Sequence, residues 1–170
     1  MAGDEDSGYG ELPILSVTPL LKFLVVDDVP DNRFLVSKSL LKQFPASIVQ
    51  ECEESTPALA AAQHDRLSAI IVHRGRDVDG PTMVALLRRV NPSVPIIMVS
   101  GRESCPAAIE AGANAFLNYE SWHRIGAVVD HTLAVERERA RVSKFPFIAG
   151  PAKNAAAAAA EGPPRILYLE

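Results

Sequence analysis

The chain has 170 residues, enough for one domain plus tails, and its 48% hydrophobic and 22% charged content is that of an ordinary water-soluble globular protein. Of its 21 acids, Asp4, Glu5, Asp6 and Glu11 sit together at the start and leave 17 acids against 17 bases elsewhere, so the net charge of −4 is local. A balanced body lacks the basic face that nucleic acid requires, no apolar run reaches the roughly 18–20 residues of a bilayer span, and an acidic start is the opposite of a signal peptide's.

Residues 1–20, Gly- and acid-rich, are expected to be a disordered tail. The body then alternates short apolar runs with amphipathic stretches. A first strand over 22–26 runs straight into Asp27 and Asp28. Pro30 suits a first helical turn, and Phe34, Leu35, Ser37/Lys38 and Leu41 follow at helical spacing up to Phe44-Pro45. A strand over 47–51 precedes a helix from about Ser55 through Leu59, Ala61 and Ala62. The third strand, 69–72, is continuous and β-branched, hence buried on both faces. A turn through Gly75 and Asp79-Gly80 opens a helix at Pro81, with Met83, Leu86, Leu87 and Val90 on one side.

A fourth strand over 94–99 leads to a helix near 106–111 that closes at Gly112, a suitable C′ residue. The short strand 115–117 precedes a helix from about Ser121 that buries Trp122, Ile125, Val128/Val129 and Leu133 and ends in a solvated run of alternating charge, 136–141. Five strand–helix units imply a parallel sheet covered on both sides. His64, His123 and His131 share no spacing with acids or cysteines and read as surface residues. Cys52 and Cys105 have no CxxC spacing and are expected to be free thiols in a reducing, cytoplasmic setting. Residues 143–170 lose the periodicity and include a six-alanine run.

The acid pair is the most informative feature. Ligand sites of open α/β sheets lie outside the carboxyl ends of the strands. Two adjacent carboxylates there repel each other unless a cation, a donor or a shared proton relieves them. The pair therefore reads as half of a metal-binding or phosphoryl-transfer site.

Four segments in order, Val25-Val26-Asp27-Asp28, Val78-Asp79-Gly80, Ile97-Met98-Val99-Ser100-Gly101 and Gly112-Ala113-Asn114-Ala115-Phe116-Leu117, resemble the receiver domain of two-component response regulators over residues 21–142. The resemblance implies a flavodoxin-like, doubly wound α/β fold, a five-stranded parallel sheet of order 2-1-3-4-5 with helices on both faces. It implies Asp27 and Asp28 as the acids that hold Mg²⁺, Ser100 as the hydroxyl of the phosphorylation site, and Phe116 as an aromatic that changes rotamer in step with that hydroxyl or simply packs in the core.

Two members of the family's site are replaced. The phosphoacceptor Asp falls on Val72, or on His73 if the loop is one residue shorter; neither is a carboxylate. The phosphate-contacting Lys falls on Tyr119, and the Pro after it is Glu120. Aspartyl phosphorylation needs a carboxylate nucleophile and cations to neutralise developing charge. Tyr119 supplies no cation at neutral pH, and an imidazole in place of one of three carboxylates weakens Mg²⁺ binding.

The expectation is a degenerate receiver, not an enzyme, that acts through protein contacts. Its partners would be a sensor histidine kinase, a hybrid kinase or another receiver, and the surface for them, or for a homodimer, the fourth helix, fifth strand and fifth helix. The competing reading is a phospho-accepting regulator that uses another acid such as Asp77. For the remaining acids three roles stay open: capping the first strand and helix, pairing Asp28 with a protonated His73, or forming a transition-metal site with its imidazole. A flavodoxin-like enzyme finds no Gly-rich phosphate loop and no nucleophile elbow here. The last six residues, 165–170, resemble the first strand of a second receiver, with 143–164 as linker.

Overall fold

The computed structural model describes residues 20–101 and 104–143. The expectations for the acidic tail and for the segment after residue 143 lie outside those residues. Five strands, β1 (Lys22–Val26), β2 (Ile48–Cys52), β3 (Ala69–Val72), β4 (Ile96–Ser100) and β5 (Ala115–Asn118), form one parallel sheet of order β2-β1-β3-β4-β5. The helices between and after them are α1 (Pro30–Gln43), α2 (Ser55–His64), α3 (Gly80–Val90), α4 (Cys105–Glu110) and α5 (Ile125–Ser143). The parallel sheet expected from the alternation, and the flavodoxin-like strand order that the resemblance implied, are the ones observed.

Side-chain parity along the strands builds two cores, one on each face of the sheet. Phe23, Val25, Ile71, Ile97, Val99 and Leu117 pack against α1 and α5 through Val36, Leu40, Ile125 and Val129. Leu24, Val26, Ile70, Val72, Met98 and Phe116 pack against α2, α3 and α4 through Ala58, Ala62, Met83, Leu87 and Ala108. Full burial of each large apolar side chain contributes roughly 1.5–3 kcal/mol, which is why β3 and β4 carry no polar residue before their carboxyl ends and β1 only Lys22, at its half-buried first position. Among the described residues no helix is long and apolar enough to cross a membrane.

Several local expectations shift. The buried stripe of α1 is Val36, Ser37 and Leu40, whereas Phe34 is 55% and Leu41 42% exposed. The stripe is set by the helix's crossing over β1 and against α5, where Gly126 lies so close to Gln43 that an added Cβ would meet its Cβ at 2.7 Å. Phe34 instead lies under the Lys38 ammonium, 5.3 Å from the ring centroid. The chain leaves β5 in a 3-10 turn, Tyr119–Arg124, and only then enters α5, so Trp122 is half-buried in that turn. The strands β2 and β4 begin one and two residues later than the apolar pattern suggested, because parallel register aligns Ile48 with Lys22 and Ile96 with Ile70.

Two glycine positions shape the ends of the sheet. Gly112 has φ +102°, and its N–H donates to the Ile109 carbonyl while that of Ala113 donates to Ala108, closing α4 with the motif expected of a C′ glycine. Gly80, the first residue of α3, is pressed against the His73 carbonyl and the Met98 methyl, leaving no space for a Cβ. The Asp-Gly pair therefore brings the start of α3 hard against the end of β3. Asp79 caps that helix, accepting from the Thr82 N–H at 2.9 Å and the Thr82 hydroxyl at 2.8 Å.

Candidate functional site at the carboxyl end of the sheet

β1 and β3 are adjacent and in register, with Val26 beside Val72, and the His73 N–H continues the ladder by donating to the Val26 carbonyl at 2.9 Å. The next positions on the two chains are Asp27 beside His73. Val72 is fully buried in the α2–α3 core, so of the two candidates for the end of strand three it is His73 whose side chain faces the acids. The register sets an acidic dipeptide, Asp27-Asp28, against a basic one, His73-Arg74.

The pairing differs from the His73–Asp28 contact, one of the three roles left open for the acids. His73 Nδ1 lies 3.1 Å from Asp27 Oδ2, and Arg74 Nε donates to Asp28 Oδ1 at 2.9 Å. The cause is alternation: Asp27 and His73 share one face of the sheet, while Asp28 and Arg74, one residue on, turn to the rim. Asp27 is the buried member, with 5% of its side chain exposed. Its other oxygen accepts from the Val29 N–H at 2.9 Å and faces the Asn32 amide at 3.5 Å. Arg33 ties its backbone carbonyl to α1 at 2.6 Å and leans toward Glu51 and Glu53. The Arg74 hydrogen bond holds the Asp28 carboxyl below the ordinary aspartate range, its positive charge adding to the effect and partial burial opposing it.

Tyr119 joins this group, its ring centroid 5.5 Å from that of His73. Burial first, and then the charge of Asp27, push its hydroxyl above the ordinary phenol value, so it stays neutral beside the acids. Ser100, at the end of β4, donates to the Ser104 hydroxyl at 3.3 Å. Phe116 points into the α2–α4 core at 9% exposure. Asp77 is not among the clustered acids: both its oxygens are taken at the start of α2, one by the Ser55 N–H at 2.9 Å and the other by the Ser55 hydroxyl. Those bonds hold its carboxyl below the ordinary range.

Asp27, Asp28 and His73 offer ligand atoms that all lie within 4.8 Å of one another, the one such trio among the described residues. They do not fit Mg²⁺, which wants near-octahedral oxygen ligands at about 2.0–2.1 Å. One of the three offers nitrogen, and Arg74 already neutralises Asp28. The sequence reading missed Arg74, Asn32 and Arg33. Arg74 had a signal, since extending the β1–β3 register by two residues sets it beside Asp28. The surface histidines His64, His123 and His131 are exposed as expected, and Cys52 and Cys105 are free and buried.

Comparison with known proteins places these features in a family. The profile described as "Response regulator receiver domain" matches residues 23–120. The nitrogen assimilation regulatory protein NtrX of Azorhizobium caulinodans is 27% identical over 133 residues, covering 75% of this chain and 29% of that protein. The glycerol metabolism activator of Pseudomonas putida is 30% identical over 111 residues, covering 60% and 48%. The chain thus spans less than half the length of these curated relatives. Among solved structures, a CheY-like response regulator receiver domain protein from Methanospirillum hungatei JF-1 superposes with TM-score 0.63 at 18% identity, over 71% of this chain and 99% of that one. The receiver domain of NtrX from Brucella abortus gives TM-score 0.58 at 25% identity, over 66% and 98%. With its sheet order, its acid pair after β1 and this profile over more than half of its length, the chain belongs to the response regulator receiver domain family.

Proposed function

We propose that this receiver domain is a degenerate one, a two-component signalling module that binds protein partners in the cytoplasm without accepting phosphate at the end of its third strand and without catalytic turnover. The observation that carries the reading is His73. It stands beside Asp27 where the family's phosphoacceptor carboxylate is expected, and an imidazole is not the carboxylate nucleophile of aspartyl phosphorylation. Arg74 bound to Asp28 and the neutral Tyr119 in place of a lysine point the same way. A receiver built so signals by its surface. Partners of the family's kind, a sensor or hybrid histidine kinase or another receiver, would meet α4, β5 and α5, the same surface through which a homodimer would form.

Incubation with acetyl phosphate or phosphoramidate and Mg²⁺, followed by intact mass measurement, tests the reading. An unchanged mass is expected. A labile phosphoryl adduct would overturn it, and loss of that adduct in Asp77→Asn would pass the role to Asp77. The bonds of Asp77 to Ser55 speak against that outcome, since the carboxylate would have to leave the start of α2 to act.

A further inference from the structure

We infer that Asp27, Asp28 and His73 form a binding site for a borderline divalent transition metal of the Zn²⁺ class, selective against Mg²⁺, and that Arg74 competes with the metal for Asp28. The inference rests on the three side chains and not on whether the domain accepts phosphate.

Ligand chemistry sets the selectivity. Two carboxylates and one imidazole suit Zn²⁺, Co²⁺ or Ni²⁺, whereas Mg²⁺ prefers oxygen alone and gives up water reluctantly. Geometry agrees. Metal–nitrogen and metal–oxygen bonds of about 2.0–2.2 Å place neighbouring ligand atoms about 3.0–3.5 Å apart in octahedral or tetrahedral arrangements. Asp27 Oδ2 and His73 Nδ1 are already 3.1 Å apart, at the edge length such a centre requires. The metal takes the place of the hydrogen between them.

The surroundings supply the orientation that metal ligands need. Asp27 is buried and held by the Val29 N–H on its second oxygen, so its first oxygen is aimed at His73 without help from the metal. The imidazole is fixed through its backbone ladder bond and by Tyr119 against its ring. Asp28 is the movable ligand. It lies within the 4.8 Å cluster but is turned toward Arg74, whose side chain is 51% exposed and free to swing into solvent. Metal binding draws Asp28 inward and releases the guanidinium, so an occupied site and an empty one present different charge at the rim of the sheet.

The test is calorimetric titration of the dialysed full chain with ZnCl₂ and separately with MgCl₂, joined to the visible absorption of the Co²⁺ form. One Zn²⁺ per chain is expected, with Mg²⁺ binding at least about 10-fold weaker, together with Co²⁺ bands that change when His73 is replaced. His73→Gln should lose the Zn²⁺ preference, Asp28→Asn should weaken binding by about 10–100-fold, and Arg74→Gln should tighten it severalfold. Circular dichroism of each variant confirms folding, and Arg74→Gln, which removes only an exposed partner, keeps the test informative should either of the others unfold. Absence of Zn²⁺ binding would overturn the inference. So would Mg²⁺ binding as tight as Zn²⁺, or Zn²⁺ binding unaffected by His73→Gln, which would place the ion elsewhere.

Discussion

The two ends of the sheet each hold an arginine, and the two are used in opposite ways. At the amino end, Arg88 of α3 donates to the carbonyls of Gly112, Pro92 and Val94 and to the Asn114 side chain, all within 3.2 Å. Asn114 in turn accepts from the Ile96 N–H and donates to Glu136 of α5. One guanidinium thus ties α3, the approach to β4, the end of α4 and the start of β5 together. Burial pulls its pKa below the ordinary guanidinium value, and Glu136 opposes that pull. At the carboxyl end, Arg74 is half-exposed and meets one carboxylate. A half-buried arginine facing several carbonyls is structural, because its removal orphans each of them; an exposed arginine on one acid is exchangeable.

Variants sharpen this contrast. Arg88→Ala leaves several acceptors without a partner in a partly buried site and should cost about 2–3 kcal/mol, read as a lowered urea midpoint. Asp79→Ala removes the cap of α3 and should cost about 1 kcal/mol at neutral pH. That cost has a defined pH dependence. The Thr82 N–H and then its hydroxyl hold the Asp79 carboxyl below its ordinary value of 3.8, as Arg74 does for Asp28. A carboxylate depressed in the folded state stabilises fully above the unfolded value, and the contribution is lost as pH falls through the folded one. Wild type and Asp79→Ala should therefore begin to draw together only as pH falls below about 4 and meet once it is below the folded value, as followed by denaturant melts across pH. The smallest effect belongs to Arg74→Gln, which should lower the melting midpoint of the metal-free protein only marginally, since an exposed ion pair contributes little; a clear drop would mean that the two ends are not so different.

What the amino-acid order disclosed depended on how many constraints acted at a position. β3 was legible to the residue, since Ala69-Ile70-Ile71-Val72 is apolar on both faces and only a central parallel strand needs that. Gly112 was legible because a positive φ at a helix end has few other occupants. The inward face of α1 was not. Spacing favoured Phe34, Leu35 and Leu41 beside Ser37, yet the register of the helix on β1 and α5 buries Val36 and Leu40 with Ser37, whose hydroxyl donates to Glu51 at 2.6 Å. At the site, the residues that end β3, Val72 and His73, could be read directly, but which base meets which acid depends on the pairing of two strands 46 residues apart. Arg88 gave no signal at all: its acceptors are backbone carbonyls, which every residue has.

The two cysteines lie in the same core, at the end of edge strand β2 and at the start of short α4, both nearly out of reach of solvent. Burial raises the Cys52 thiol above its ordinary value, so little of the reactive thiolate forms there at neutral pH. Alkylating reagents can reach either sulfur only when its own part of the fold breathes, which makes the pair a native set of chemical clocks. Their relative rates of trapping would time the opening of the sheet's margin against that of the fourth helix, with no label introduced.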